Sequence, residues 1–401
     1  MNFEMTGKLT IGKETEKFKP YADTKYESGW VRRQLMFNVV CGDSRHMLTI
    51  TGGSWADGHG DIYTFGKNTV DENGKKIKGE QLTIPFKDRL TSPKLAEVSD
   101  FRKMVVDLEV RGRRYKLENA ADKVKEGTDL TADELKELGI NSQDEVKDAL
   151  EKSNKKHHEF ISEWDFAEFM KKVLDSDKYK DKNFYIRGSV NYELNEDTGR
   201  IYESYVPSRI YLADDDAEPY STATLNILFD ANSLDEMSVE EKGRYYVNGY
   251  TMEYNRNRKT NIPVPITITI PVAPEGASEK EKGKVEVMRS KFVVEDDSVK
   301  EYGIVVNMVN GAQKVEITED MLTEDQKKDL EYGLITMDDI REDLGGSVYG
   351  DRIREYQFVK PGKGFTKGRQ DTCYTADDLV IKPLEVDEET ENLFDDDDDE
   401  L

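Results

Sequence analysis

The segment GWVRRQLMFNVVCGDSRHMLTITGG, residues 29–53, decides the fold class of this 401-residue chain. Leu35, Phe37 and Val39 recur at every second position, which is the period of a strand with one buried face. Asp43-Ser44 separates two strand-length runs and predicts a tight turn between them. The segment therefore predicts a long β-hairpin with Phe37 in its core.

Strand-length runs continue through the rest of the chain, and helical patterns are concentrated in two places. Such a pattern predicts a mainly β fold with helical insertions, of the α+β class. The other predicted strands lie at residues 7–12, 184–193, 200–212, 222–229, 244–254, 266–270, 352–359 and 372–381. A further helix, 154–174, is predicted to pack on the sheet through Trp164, Phe166, Phe169 and Val173.

The two helical places match each other. LTADELKELGI (130–140) and SQDEVKDAL (142–150) correspond to LTEDQKKDL (322–330) and TMDDIREDL (336–344). In each, a threonine followed three residues later by Glu or Gln forms a capping-box pattern, and a glycine then favours the end of the helix. These residues are Thr131, Glu134 and Gly139, and Thr323, Gln326 and Gly333; Ser142 and Thr336 are predicted to cap the next helices.

The flanks of the helical places also correspond, which indicates an internal duplication. A predicted strand, a turn around Gly112 or Gly311 and a second strand precede each place, and a hairpin follows. The predicted repeats are residues 1–215 and 216–384, with helical insertions at about 120–175 and 320–345. This strand pattern is typical of small OB-type barrels, so two duplicated OB-like barrels are expected; a β-sandwich with helical insertions fits almost as well.

Charge is distributed very unevenly along the chain. The net charge is −25, and residues 385–401 hold eleven acids and no base. Such a run repels itself, so we predict a disordered acidic tail. Apolar residues flank the charges, which suits docking to a partner protein or competition with nucleic acid for a cationic groove. The predicted partner-binding residues are Leu393, Phe394, Asp395, Asp396, Asp397, Asp398, Asp399, Glu400 and Leu401.

Aromatic and basic residues interleave in the body of the chain. Sequence-independent binding of single strands needs flat rings for the bases and cations beside the phosphates. The predicted nucleic-acid-binding residues are Trp30, Arg32, Arg33, Arg45, Trp55, Tyr63 and Lys67 in the first repeat, and Tyr246, Tyr250, Tyr254, Arg256, Arg258, Lys259, Lys363 and Arg369 in the second. The three tyrosines share one face of an extended strand. The alternatives are a Trp55 ring folded back on the barrel rim and a solvated edge strand with surface tyrosines.

Signatures of catalysis, metal binding and membrane insertion are missing from the sequence. It has no G-x-x-x-x-G-K-[ST] phosphate loop and no G-x-S-x-G nucleophile elbow. Two distant cysteines argue against a disulfide framework or a thiolate metal cluster. No apolar run approaches the roughly 20 residues of a membrane span, and residues 1–13 carry no secretory pattern. We therefore expect a cytoplasmic protein (in the host cytoplasm if viral) that is not an enzyme and uses no metal or cofactor.

The tail, and more loosely the strand order of both repeats, resemble single-stranded DNA-binding proteins, particularly the acidic replication proteins of bacteriophages. The resemblance implies OB barrels that protect single-stranded DNA during DNA replication, recombination and repair. It also implies replication or recombination proteins as partners of the acidic tail. In the best-known tails an aromatic residue ends the chain, whereas here Phe394 precedes the acids and Leu401 ends it. The acidic body fits a second function, that of a DNA mimic or scaffold acting on a DNA-handling enzyme.

Overall fold

The structure is a computed structural model that describes residues 1–72, 74–255, 257–274, 276–315, 322–337, 339–340 and 348–382. The fold is mainly β with helical insertions, as predicted. The strands are β1 (Asn2–Thr10), β2 (Tyr21–Lys25), β3 (Trp30–Cys41), β4 (Ser44–Trp55), β5 (Asp61–Phe65), β6 (Thr69–Val70), β7 (Lys76–Ile77), β8 (Gln81–Pro85), β9 (Met104–Val110), β10 (His157–Phe160), β11 (Asn183–Leu194), β12 (Ile201–Leu212), β13 (Tyr220–Phe229), β14 (Leu234–Asp235), β15 (Arg244–Asn255), β16 (Thr260–Pro271), β17 (Lys300–Val315), β18 (Val348–Pro361) and β19 (Gln370–Asp371). The helices are α1 (Arg113–Lys125), α2 (Ala132–Leu138), α3 (Val146–Asn154), α4 (Glu163–Leu174), α5 (Ser238–Lys242), α6 (Glu279–Ser290) and α7 (Glu324–Glu331).

The chain divides into two compact units, each with residues from several stretches of sequence. Unit 1 consists of Met1–Asn191, Ser204–Thr224 and Val306–Tyr356; unit 2 consists of Tyr192–Glu203, Leu225–Val305 and the described residues from Gln357 onward. These bounds differ from a division at residue 215, because a stretch that follows this junction belongs to unit 1. The two repeats, and the barrel form of each, stay predictions.

The β3–β4 hairpin lies in the middle of the unit 1 sheet. The strand order is β10-β9-β12-β4-β3-β1-β13, with β2 paired to β3, and β11 paired to β1 and β12. β12 runs parallel to β4 and β9, while β3 is antiparallel to β1, β2 and β4, so the sheet is mixed. The predicted hairpin is confirmed, since β3 and β4 pair from Trp30 opposite Trp55 to Cys41 opposite Ser44.

One face of this hairpin forms the core of unit 1. Its buried apolar side chains are Val31, Leu35, Phe37, Val39, Cys41, Leu48 and Ile50, which confirms the prediction for Phe37. α4 packs against β3 and β4. Of the side chains predicted to face the sheet from this helix, Phe166 and Val173 are buried, and Trp164 and Phe169 are half-buried.

Unit 2 is built around the hairpin of β15 and β16, which pair along their whole length. β13 and β14 pair with β15, and β18, β17 and β19 follow β16 in the strand order. An aromatic cluster fills the interior. The ring of Phe292 lies 5.2, 5.7 and 5.3 Å from those of Phe229, Tyr302 and Phe358, measured between centroids.

The first helix of each helical motif starts as predicted. The hydroxyl of Thr131 accepts from the main-chain N–H of Glu134, whose carboxylate accepts in return from the N–H of Thr131. Thr323 and Gln326 make the same reciprocal pair in the second motif. Both capping boxes are therefore confirmed.

Each helical motif also has a small core of its own. Gly139 and Gly333 have φ angles of 64° and 68°, the left-handed conformation expected at these positions. The buried core residues are Leu117, Ala120, Leu138, Ile140 and Val146 in the first motif, and Leu322 and Ile340 in the second. Val146 and Ile340 occupy corresponding positions in the two sequences, and both are buried.

The chain after Gly112 is helical, so the strand predicted there is wrong. α1 begins at Arg113. Its apolar residues recur at the three- and four-residue spacing of a helix face. They are Leu117, Ala120, Ala121 and Val124. The alternation that is typical of a strand fits only the first part of this segment, whereas the helical spacing fits the whole of it.

The predicted turn at Gly311 is also wrong, because β17 continues unbroken through this residue. Gly311 is needed for close packing inside unit 1, where a Cβ atom would lie 2.1 Å from the carbonyl oxygen of Asp43.

Residues 372–381 do not form the predicted strand either. They contain the 3-10 helix Ala376–Leu379, at whose start the main-chain N–H and the hydroxyl of Thr375 both donate to the carboxylate of Asp378.

Two details of the helical regions differ from the predictions. The helix predicted over 154–174 begins only at Glu163, because β10 occupies part of this stretch. Thr336 exchanges capping bonds with Asp339, whereas Ser142 makes no side-chain cap.

Of the helices in the described part of the chain, none has the length and apolar character to cross a membrane.

Candidate nucleic-acid interface

The face of the β3–β4 hairpin opposite the core is open and carries no acidic side chain. Every second residue of each strand lies on it, and all of these are half-buried or exposed. We call this surface the hairpin face; its residues are Trp30, Arg32, Gln34, Met36, Asn38, Val40, Arg45, Met47, Thr49, Thr51, Gly53 and Trp55.

The absence of acids on the hairpin face is unusual for this chain. Asp and Glu account for 83 of 401 residues, yet residues 28–56 contain only Asp43, which lies in the hairpin turn. Lys8 of β1 is exposed and lies opposite Val40, so it adds a cation to the same side of the sheet. Arg45 is also exposed at this end and donates to Thr10 Oγ1 at 3.3 Å. The hairpin face is therefore locally positive on an acidic protein.

A tryptophan pair occupies the other end of the hairpin face. Trp30 and Trp55 lie opposite each other, with ring centroids 5.3 Å apart and an angle of 80° between the planes. The ring of His59 stacks on Trp55 at 4.7 Å. Asp57 accepts from the main-chain N–H of His59 and is bonded to its ring, and this bonding lowers the pKa of Asp57.

A glycine positions this tryptophan pair. A Cβ atom on Gly53 would lie 2.0 Å from the ring of Trp30, so the ring lies directly on the backbone of β4. Trp55 is half-buried between Trp30 and His59. A base that stacks on the covered side of Trp55 therefore has to displace the His59 ring.

Arg32 and Arg33 lie on opposite faces of β3. Arg32 is exposed on the hairpin face. Arg33 makes a two-pronged ion pair with Asp23 at 2.9 and 2.8 Å, and its guanidinium lies 3.7 Å from the centroid of the Trp164 ring. The hydrogen bond with Asp23 raises the pKa of Arg33 and lowers that of Asp23. The structure thus separates Arg33 from the tryptophan pair and gives it packing partners.

We expect the neighbouring arginines to respond in opposite ways to substitution. Arg33→Gln should lower the free energy of unfolding by about 1–3 kcal/mol, because it removes a half-buried guanidinium from its ion pair with Asp23 and from its packing on Trp164, while solvent screens part of the loss. Arg32→Gln should leave stability within about 0.5 kcal/mol and reduce affinity for oligothymidylate about fivefold through a lost phosphate contact. Urea unfolding and fluorescence anisotropy of a labelled oligonucleotide measure the two effects; unchanged affinity in Arg32→Gln would exclude this contact.

Tyr63 and Lys67 lie beyond the tryptophan pair, outside the hairpin. Tyr63 belongs to a two-stranded ribbon, β5 paired with β8, and its side chain is 67% exposed. Lys67 is exposed just after β5. The structure therefore places these two predicted residues on a second surface of unit 1.

The three predicted tyrosines share one side of β15 in unit 2, but they have different surroundings. Tyr254 is 62% exposed. Tyr250 packs against the cluster of Leu228, Val299 and Leu379. The ring of Tyr246 lies 5.1 Å from Lys242 Nζ. Tyr254 is thus the tyrosine of this group with the largest exposed ring.

The basic loop after β15 is partly used in ion pairing. Arg258 pairs with both carboxylate oxygens of Glu196 and donates to the carbonyl oxygen of Lys382 at 2.5 Å. This bonding raises the pKa of Arg258 and lowers that of Glu196. Lys259 is exposed, with a left-handed φ of 52°. Arg256 lies outside the described residues.

Lys363 and Arg369 are both exposed in unit 2. Arg369 donates to the carbonyl oxygens of Ser290 and Lys291 at 3.3 and 3.2 Å, so its guanidinium is held against the end of α6. The predicted tail residues, Leu393 to Leu401, lie outside the described residues.

Sequence reasoning missed residues that the fold brings to these surfaces. Lys8 joins the hairpin face only through the pairing of β1 with β3. The sequence did contain a signal for His59 as a residue of this surface, because it lies in the glycine-rich segment after Trp55. Phe101 stands beside Arg102, and its side chain is 92% exposed.

The described residues contain no group of three or more His, Cys, Asp or Glu side chains that could hold a metal ion. Both cysteines are free: Cys41 is buried, which raises the pKa of its thiol to about 12, and Cys373 is exposed. The expectation that the protein needs no metal or cofactor stays a prediction.

No protein-family model matches the sequence, and no curated protein matches it. Among solved structures, the chain is similar to a deletion mutant of the single-stranded DNA binding protein from Thermus aquaticus, with 9% sequence identity and a TM-score of 0.26. The similarity covers 80% of this chain and 97% of the other. A TM-score of this size is too low for a common fold to be inferred.

Proposed function

We propose that this protein binds single-stranded DNA on the hairpin face and has no catalytic activity. The observation that carries the proposal is that one open face, without acidic side chains, presents both a tryptophan pair and cations. These cations are Lys8, Arg32 and Arg45. Such rings stack on bases of any sequence, and cations along the same surface bind the phosphates. On an acidic protein, this face gives a polyanion local counter-charge.

The dimensions of the hairpin suit a strand of several nucleotides. A strand of 12 residues spans about 40 Å at roughly 3.3 Å per residue. The tryptophan pair lies at one end of this distance, and Arg45 and Lys8 lie at the other. Stacking contributes about 1–3 kcal/mol per base, so two rings supply a substantial part of the binding free energy without a continuous basic surface.

Fluorescence titration tests this proposal directly. In a Trp164→Phe variant the remaining tryptophans both lie on the hairpin face, so the signal reports on that face. Added oligothymidylate should quench it. The logarithm of the binding constant should fall with the logarithm of salt concentration at a slope of about −2, since Lys8, Arg32 and Arg45 each contribute about −0.7. A duplex of the same length is the control and should bind more weakly.

The acidic body favours a second candidate function, a DNA mimic or scaffold that acts on a DNA-handling enzyme. A mimic presents its own negative charge to the enzyme and does not require a surface that binds DNA. The same titration separates the two functions. No fluorescence response at low salt would exclude binding on the hairpin face and favour the mimic.

The proposal includes two duplicated OB-like barrels and a role in DNA replication, recombination and repair. The corresponding buried positions of Val146 and Ile340 support the duplication. The proposed recruitment of replication or recombination proteins by residues 385–401 rests on their composition. Removal of this segment should leave affinity for oligothymidylate equal or higher, and weaker binding would contradict a tail that competes with DNA.

A further inference from the structure

A second surface of unit 1 combines exposed rings with cations. Asp61, Tyr63 and Phe65 alternate along β5 and lie on one side of the β5–β8 ribbon. Tyr63 is exposed and Phe65 is half-buried. This side of the ribbon therefore presents one aromatic ring to solvent and rests a second one against its neighbours.

Two cations lie against the ring of Phe65. The guanidinium of Arg102 lies 5.0 Å from the centroid of its ring, and Lys78 Nζ lies 5.4 Å from the same centroid. At these distances both cations are attracted to the electron-rich face of the ring. Phe65 thus contacts two side chains of like charge, and a phosphate group beside either of them would gain a charge-assisted contact.

Phe101 lies next to Arg102 and is more exposed than any other large apolar side chain that the structure describes, at 92%. A third cation approaches the same backbone, because Arg209 donates to the carbonyl oxygen of Asp100 at 2.7 Å. The carboxylate of Asp100 lies 3.7 Å from Lys103 Nζ, so it has a cationic partner of its own.

We propose that these residues form a second contact for single-stranded DNA, continuous with the strand on the hairpin face. We call this surface the arm patch; its residues are Tyr63, Phe65, Lys78, Phe101 and Arg102. Tyr63 and Phe101 stack on bases, while Lys78 and Arg102 bind phosphate from their places beside Phe65. The inference rests on the proposed function and extends it.

The cations of the arm patch, and the direct connection of the β5–β8 ribbon to the tryptophan pair, favour a polynucleotide as the ligand of this surface. A purely apolar partner would leave Lys78, Arg102 and Arg209 without counter-charge, whereas a nucleic-acid strand matches both rings and cations. The ribbon also follows directly from the tryptophan pair. The N–H of Gly58 donates to the carbonyl oxygen of Trp55, and that of Phe86, after β8, donates to Gly60.

The test uses the full chain and two lengths of oligothymidylate, about 8 and about 30 nucleotides; the first lies within the usual site size of about 4–16 nucleotides, and the second exceeds it. Phe101→Ala and Arg102→Ala should each lower affinity for the longer oligonucleotide about tenfold and change affinity for the shorter one less than twofold. Tyr115→Ala is the matched control, because this tyrosine of α1 is 66% exposed and lies outside the arm patch. It should change neither affinity.

The outcomes separate this inference from the proposed function. If Phe101→Ala binds the longer oligonucleotide like Tyr115→Ala, while Trp55→Ala loses affinity, the arm patch is overturned and the hairpin face stands. If the unaltered protein binds neither oligonucleotide, both proposals are overturned. Thermal unfolding of each variant checks the fold, and the exposure of Phe101 leads us to expect no change there.

Discussion

Alanine in place of Trp55 should weaken binding of oligothymidylate about 10- to 100-fold and leave the fold intact. The substitution removes one stacking ring, which is worth about 1–3 kcal/mol. It also removes the edge that holds Trp30, whose centroid lies 5.3 Å away, and the surface on which His59 stacks. Anisotropy of a labelled oligonucleotide measures the loss without depending on the tryptophans.

The matched control for this substitution is Trp164→Ala on the other side of the sheet. Trp164 is half-buried and packs against the guanidinium of Arg33, 3.7 Å away. Its loss should lower stability and leave the affinity of the folded protein unchanged. Binding of Trp55→Ala with the affinity of the unaltered protein would remove the tryptophan pair from the interface.

Alternation along the chain predicts much of the hairpin and its two faces. Leu35 and Phe37 are buried, while Arg32 and Trp30 lie on the open side, as a period of two requires. The same period places Arg33 with Phe37 rather than with Trp30. The sequence therefore contained the signal that Arg33 lies on the core side, although its aromatic and basic neighbours favoured grouping it with Arg32.

The partners of the predicted residues could not be read from the sequence, because they come from distant segments. Arg33 pairs with Asp23 and contacts Trp164 of α4. Arg258 pairs with Glu196, 62 residues away. A cation in a basic loop and a cation in an ion pair look the same until the chain folds, so composition overstates the number of cations that can meet a phosphate.

The sequence around a glycine did not show whether the glycine forms a turn or lies inside another element. Gly112 was expected to join two strands and instead precedes α1, whereas Gly311 was expected to form a turn and lies inside β17. Gly112 has a φ of 84°, but Gly311 is required by the nearby carbonyl of Asp43. A glycine needed for conformation and one needed for space are indistinguishable by sequence alone.

Alanine in place of Gly53 should weaken DNA binding about tenfold with little loss of stability. Its Cβ would lie 2.0 Å from Cζ2 of Trp30, so the ring has to turn away from its place on β4. The obstacle is a side chain that can move into solvent, so we expect a cost of about 1 kcal/mol in the free energy of unfolding. The displaced ring can no longer stack in its original position, and this loss accounts for the lower affinity.

Gly52→Ala is the neighbouring control, and we expect it to have the opposite effects. Its Cβ would lie 2.4 Å from the main-chain nitrogen of Trp164 and 2.7 Å from the carbonyl carbon of Glu163, at the start of α4. A helix backbone cannot turn aside as a ring can, so the free energy of unfolding should fall by about 3 kcal/mol, while the folded fraction keeps its affinity. Urea unfolding and anisotropy on both variants decide the matter. If Gly52→Ala loses affinity and Gly53→Ala does not, DNA binds to the face that α4 covers, and the hairpin face is not the interface.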